Sequence, residues 1–309
     1  MSRIIEFVLQ TGLNFIVFIQ QYRTPILDSF FKCITSLGEE EFYFASLPLL
    51  LWSLEYSVAV RLVGFVLLSH YCNIFIKELV REPRPFLSNP AVQLIAVGGY
   101  SFPSNHAQTG LVFWLGLGLV SAQKWLYILL AALSILIGSS RIYLGVHYPS
   151  DVLIGWLIGS ILLVLFYQSI SAPNRALFRG NWLNHSLLAL LIPGLLLIMS
   201  PSHANWAITA ALSGGWCGCI FRQLVLKNIP ERLSGSWMLL FVRQILGLFT
   251  ILLLLHGLKS LFPDGYSQSA LILRFIRYWL AAFWAVGGVP WLFSKLGLLS
   301  QSKQPPIYR

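Results

Sequence analysis

The chain has 309 residues, of which 57% are hydrophobic and only 10% charged. Soluble domains carry about 25% charged residues, so this chain has too few to cover a water-facing surface, and disorder, which is polar and charge-rich, is excluded too. The net charge of +10 comes from 21 Lys and Arg set against 11 Asp and Glu. These bases are dispersed among apolar segments, which fits the cytoplasmic loops of a membrane protein and opposes nucleic acid as a partner.

The apolar runs are long and unbroken. Transmembrane β-strands would instead show alternating segments of about 10 residues. The fold class expected is therefore all-α: a polytopic membrane helix bundle of about nine or ten transmembrane helices. The N-terminus, MSRIIEFVLQ, has no signal-peptide cleavage pattern, so the first hydrophobic segments direct insertion. Segment 5–20 holds Gln10, Thr11, Asn14 and Gln20 and either spans or lies in the interface. Segment 25–37 is too short and too polar to span and reads as interfacial. Span candidates follow at 41–56, 58–77, 106–121, 125–139, 151–169, 183–199, 206–221, 237–256 and 271–293. Gly155 and Gly159 form a GxxxG pattern that lets helices approach closely, here within one chain. Cys33, Cys72, Cys217 and Cys219 form no disulfide or zinc framework.

Polar punctuation near residues 170–182 divides the chain into 1–170, rich in polar clusters, and 171–299, a set of further helices with bland loops; a flexible tail, 300–309, ends it. Counting spans back and forth puts segments 78–105 and 140–150 on one side of the membrane. Arg61, Lys124, Arg175, Arg179, Arg222, Lys227, Arg232, Lys295, Lys303 and Arg309 fall on the other. That excess of bases marks the second side as cytoplasmic, and the clusters face away from it. Lys77, Arg81, Arg84 and Arg141 run against the bias, which marks them as candidates for chemistry.

Three clusters stand out. KELVREPRP runs from Lys77 to Pro85, and Pro85 restricts Arg84 to an extended backbone. In YSFPSNHAQTG, Tyr100–Gly110, the residues Ser104, Asn105 and His106 precede a helix whose first N–H groups are unpaired and attract anions. In SRIYLGVHYPSDVLIG, Ser140–Gly155, His147 and Asp151 are four apart, on one face if the helix continues. Asp151 abuts an apolar run, where a carboxylate is costly without a partner; His147 or Arg141 would serve. Alternating helices bring all three clusters to one membrane face. Together they offer three fixed cations, two histidines, one carboxylate and a helix start, which is a site for a polyanion such as phosphate. His106, His147 and Asp151 also form a His₂-carboxylate set, but three adjacent cations would repel a divalent metal. Pairing of Arg81 with Glu78 or with Glu82 accounts for those residues.

The string Lys77-x6-Arg84-Pro85, then Pro103-Ser104-Asn105-His106, then Ser140-Arg141-x5-His147-x3-Asp151 resembles the three-part signature of the type 2 phosphatidic acid phosphatase superfamily. Its wording is most similar to the sphingosine-1-phosphate phosphatase-like branch. The resemblance implies an integral membrane lipid phosphate phosphatase with a core of about six helices, no cofactor and no metal. It implies His147 as nucleophile forming a phosphohistidine, with Asp151 holding its tautomer. It implies His106 as acid, then base. Lys77, Arg84, Ser104, Asn105 and Arg141 would bind the phosphoryl oxygens. The second motif commonly has Gly where this chain has Asn105; the donor there is a backbone amide, which Asn also supplies. A lipid phosphotransferase, or a non-catalytic lipid transporter or receptor on the same fold, are the alternatives. Retention of His106, His147 and Asp151 opposes the non-catalytic one. The partners implied are a lipid phosphate substrate and membrane lipids.

Overall fold

The computed structural model describes residues 3–121, 123–171, 181–226, 229–230, 233–262 and 265–301. Arg175, Arg179, Lys227, Arg232, Lys303 and Arg309, and the tail beyond 301, lie outside the described residues.

The fold is helical. Helices α1 (Arg3–Gln20), α2 (Pro25–Ser36), α3 (Glu40–Ser53), α4 (Tyr56–Val80) and the short α5 (Pro85–Ser88) lead to α6 (Asn105–Val120), α7 (Lys124–Tyr143) and α8 (Pro149–Ser171). There follow α9 (Trp182–Met199), α10 (His203–Val225), α11 (Trp237–Leu261) and α12 (Gln268–Phe283). A π-helical turn, Trp284–Gly288, joins α12 to α13 (Val289–Lys295). The remaining regular structure among the described residues is a 3₁₀ turn at Pro90–Val92 and a two-residue antiparallel pair, β1 (Leu233–Ser234) with β2 (Ser300–Gln301). Helix starts are capped by side chains: Thr24, Asn181, Ser202, Ser236 and Ser267 each accept a first-turn backbone N–H.

Among the described residues, seven helical segments are long and apolar enough by themselves to cross a bilayer: 3–20, 56–88, 124–143, 149–171, 182–199, 237–261 and 268–295. The protein is an integral membrane protein. Three further helices, α3, α6 and α10, are shorter or more polar, and with them the bundle has about the nine or ten expected. α3 has 14 residues and α6 16, fewer than the roughly 20 of a full-width span, yet α6 and α7 must each carry the chain across, because the starts of α6 and α8 meet at one face. α10 is long enough, but Asn205, Ser213 and its three glycines dilute its hydropathy. α1, left open by its polar residues, has the length and apolarity of a span. Arg61 lies inside α4 rather than in a loop, and Arg222 sits in the last turn of α10 with its guanidinium 3.4 Å from the Tyr56 ring centroid.

The chain divides into two compact units: residues 1–43 with 68–168, and residues 44–67 with 169–309. In the first unit, glycines set the helix spacing. A Cβ at Gly155 would stand 2.7 Å from the Ser104 carbonyl, and one at Gly159 2.7 Å from that of Gln108. The GxxxG pattern therefore seats α8 against the start of α6 inside one chain. Gly138 gives the same clearance to the Trp156 indole. α1 buries Leu9, Gly12 and Ile16 against Tyr148 and Val92, and Gln20 Nε2 donates to the carbonyls of Val92 and Tyr143 at 2.9 and 2.7 Å. α1 thus braces the segment after the first motif and, through Tyr143, the third motif itself. In the second unit Trp52 packs against Gly247 and Phe293 and donates Nε1 to the Ala285 carbonyl at 3.0 Å. Every candidate site residue lies in the first unit.

Candidate active site

Lys77 sits in the last turn of α4 and donates Nζ to the carbonyls of Tyr100 and Ser101, both at 2.8 Å. Arg84 is held extended before Pro85, at φ −77° and ψ 155°. Its fork divides: Nε donates to Gly99 O at 2.9 Å, Nη2 to Gly98 O at 2.7 Å, and Nη1 to Val146 O at 2.9 Å. Nη1 also reaches His147 Nε2 at 3.3 Å. The two cations of the first motif thereby hold the 98–101 loop, and Arg84 touches the third motif.

Ser104 occupies the N-cap position of α6 but makes no side-chain cap bond; its Oγ is fully buried and has no partner. The backbone N–H groups of the first helical turn lack intrahelical acceptors and carry the positive end of the helix dipole. The Ser104 N–H donates to the Asp151 carbonyl at 3.1 Å, which ties the second motif to the third. Asn105, the departure from the usual Gly, has its own setting: Nδ2 contacts His70 Nδ1 at 2.9 Å, and Thr109 Oγ1 donates to Oδ1 at 2.8 Å. His70 Nε2 lies 3.3 Å from Glu40 Oε1. The Asn105 side chain is therefore accommodated without displacing the helix start.

His147 lies in the turn before α8, because the helix begins at Pro149. A continuing helix through both residues is not what joins His147 to Asp151. Instead Asp151, in the first turn of α8, reaches back like a cap. Its Oδ2 accepts from the Tyr148 N–H at 2.9 Å and from Ser101 Oγ at 2.5 Å, and faces His147 Nδ1 at 3.2 Å. Such donors offset the cost of a fully buried carboxylate. Arg141 turns elsewhere: Nη1 donates to Thr35 Oγ1 at 2.6 Å and lies 3.5 Å from Glu39 Oε1, while its buried Nε has no partner. His106 Nε2 stands 3.3 Å from the same Glu39 oxygen, at ion-pair distance but outside hydrogen-bond alignment.

Electrostatics follow from this crowding. Burial, reinforced by Lys77, Arg84 and Arg141, holds the His147 imidazole well below its ordinary range, so it is neutral at physiological pH. The His106 ring, and then Arg141, hold the Glu39 carboxyl below the usual carboxylate range. Ser104 Oγ and Arg141 Nε are buried donors without acceptors, and a buried donor left unpaired is costly. An anion held there would give each an acceptor. Among the described residues no group of three or more His, Cys, Asp or Glu side chains is placed to hold a metal ion.

Several residues of the site lie outside the motif positions: Thr35, Glu39, Glu40, His70, Glu82 and Ser101. Glu82 does not serve as the Arg81 partner expected of it. Its carboxyl lies against that of Asp151, and one buried oxygen of each, Glu82 Oε1 and Asp151 Oδ1, has no donor. Arg81 instead donates Nε to the Glu78 carbonyl at 2.9 Å. Sequence did carry one signal for the α2–α3 corner: three of only 11 acidic residues fall together at Glu39–Glu41.

Residues 58–175 match the family model described as PAP2 superfamily, and residues 206–303 match that of the PAP2 superfamily phosphatase, transmembrane extension. The chain belongs to the PAP2 superfamily. It is 27% identical over 310 residues to sphingosine-1-phosphate phosphatase 1 of Mus musculus, a match covering 85% of this chain and 71% of the relative. It is 26% identical to sphingosine-1-phosphate phosphatase 2 of Mus musculus, covering 87% and 88% of the two chains. To the lipid A 4'-phosphatase of Bacteroides thetaiotaomicron it is 29% identical over 176 residues, covering 53% of this chain and 78% of that one.

Proposed function

We propose that the protein is a metal-independent phosphatase of lipid phosphate esters that works through a phosphohistidine on His147. The observation that carries this reading is the row Arg84 Nη1, His147 Nε2, His147 Nδ1, Asp151 Oδ2, with spacings of 3.3 Å and 3.2 Å at its two contacts. Asp151 accepts from Nδ1–H and so fixes the tautomer in which Nε2 carries the lone pair. That lone pair attacks phosphorus as the bond to the lipid oxygen breaks. His106 hands a proton to the departing oxygen. It then takes one from the water that attacks the phosphohistidine, and phosphate leaves. Lys77, Arg84, Arg141, Ser104 and the Asn105 N–H stabilise the charge on the phosphoryl oxygens, the main need in phosphoryl transfer. The names of the relatives support a long-chain phosphomonoester as substrate, with the chain lying among helices and the phosphate at headgroup depth.

The test is phosphate release by purified protein from phosphatidic acid, a sphingoid-base phosphate, an isoprenyl pyrophosphate and phosphatidylglycerol phosphate, in detergent with excess chelator. Full turnover on at least one is expected. Activity that vanished in chelator and returned with magnesium would reject the metal-free mechanism.

We further propose that the site faces away from the cytoplasm, on the strength of the basic bias of the opposite loops. Single cysteines introduced at Ser202 and at Lys124, in a background lacking the native four, should then label differently in intact cells. An impermeant maleimide should reach the first and not the second. The reverse pattern would invert the topology.

A further inference from the structure

We propose that Glu39 is a positioning residue for this reaction: its carboxylate supplies the negative charge that favours, against burial and two guanidinium groups, the proton His106 must hand to the leaving oxygen. The inference rests on the reading of His106 as the acid. Glu39 belongs to none of the three motifs and comes from the corner between α2 and α3.

The need for such a charge follows from what surrounds His106. The charged and titratable groups facing it are Arg141 from α7, Arg84 from the α4–α5 corner, His147 from the turn before α8, Glu40 from the start of α3, and Glu39. His106 is buried. Burial and two guanidinium groups disfavour a second proton on the ring and pull its pKa down to about 4, with Glu39 opposing them. A neutral imidazole is a poor acid for an alkoxide, so the first step requires a counter-charge. Glu39 Oε1 lies between His106 Nε2, at 3.3 Å, and Arg141 Nη1, at 3.5 Å.

The corner is built to hold it there. A Cβ at Gly38 would fall 2.7 Å from His106 Cδ2 and 2.8 Å from Ile137 Cγ2, so the backbone beside Glu39 presses on the imidazole itself. Thr35 Oγ1 anchors Arg141 from the same corner at 2.6 Å, and the Leu37 carbonyl accepts from Trp114 Nε1 at 3.4 Å. Because the 3.3 Å contact is not an aligned hydrogen bond, Glu39 stabilises the charge on His106 without capturing its proton in a linear bond. With its side chain 40% exposed, Glu39 also stands at the water-facing edge of the buried ring.

Proton and bond changes balance without another reagent. As the His147 Nε2–P bond forms and the P–O bond to the lipid breaks, the His106 Nε2 proton moves to the leaving oxygen. As water attacks phosphorus and the P–N bond breaks, His106 regains a proton from that water. Glu39 stays anionic throughout.

The experiment compares wild type, Glu39→Gln and Glu39→Asp on two substrates, a long-chain alkyl phosphate and p-nitrophenyl phosphate, across pH. Acid assistance is worth typically ~10²–10⁴-fold on a poor leaving group and far less on nitrophenolate. Glu39→Gln should therefore lose about 10–100-fold in kcat on the alkyl phosphate and no more than about threefold on p-nitrophenyl phosphate. The alkaline limb of its kcat profile should move to lower pH, and Glu39→Asp should recover most of both effects. Equal losses on the two substrates in both variants, or no loss at all, would overturn the role of Glu39 while leaving the phosphatase reading standing. Wild-type protein inactive on both substrates would overturn the phosphatase reading and this role with it.

Discussion

His147→Ala should abolish turnover and covalent phosphoryl labelling together. Nothing else in the site offers a neutral lone pair in the same place: Nε2 of His147 sits beside Arg84, with Nδ1 committed to Asp151. The other histidine of the motifs, His106, faces Glu39 instead. Rapid quench with a radiolabelled phosphoryl donor, followed by peptide mapping, should place the label in wild type on the peptide containing His147. The pH dependence gives a second sign. A free imidazole, with pKa about 6.5, would cost about tenfold in rate for each pH unit below that value. His147 is held well below its ordinary range by burial and three cations, so its lone pair persists as pH falls. kcat/KM should accordingly stay nearly level through the mildly acidic range. Full turnover in His147→Ala, or label found on His106, would end the assignment.

The motif positions were legible in sequence because each pairs a residue type with a local constraint. Pro85 dictates the extended backbone that points Arg84 inward, and the start of α6 dictates where Ser104 and Asn105 lie. An Asp four residues after a His was enough to pair Asp151 with His147. The means of pairing was less visible, since Pro149 starts a new helix between them and Asp151 reaches back from its first turn. Glu82 was assigned to Arg81 on proximity in sequence. What decides its place is the 98–101 loop: the Ser101 N–H donates to the Glu82 carbonyl at 2.8 Å and fixes Glu82 beside Asp151.

The α2–α3 corner illustrates the opposite limit. Thr35 and Arg141 are 106 residues apart, and Glu39 and Arg141 are 102 apart. No local periodicity reports such contacts, and a short polar segment before a span reads as interfacial whether or not it touches a site. The packed faces of the helices are hidden for a related reason. In a bilayer both the buried and the lipid-facing sides are apolar, so α9, with Leu190, Leu191 and Ile198 exposed, shows no stripe to mark its packed face. α6 is likewise apolar along most of its length, and only Ser104 at its start and Ser121 at its end mark its bounds.

Replacing His106 with Ala should separate the two half-reactions. Loss of acid–base assistance is worth typically ~10²–10⁴-fold, so turnover of an alkyl phosphate should fall by that order. With p-nitrophenyl phosphate the first step needs little protonation and should proceed. Hydrolysis of the intermediate still lacks a base, so phosphohistidine should accumulate on His147 and appear as a burst of nitrophenolate. The double variant His106→Ala with Glu39→Gln then probes whether the two residues act as one unit. If Glu39 works only through His106, the double variant should be no slower than His106→Ala alone, since residues in contact lose additivity when one acts through the other. A burst-free His106→Ala protein with both half-reactions equally slow would assign the ring to phosphate binding rather than to proton transfer.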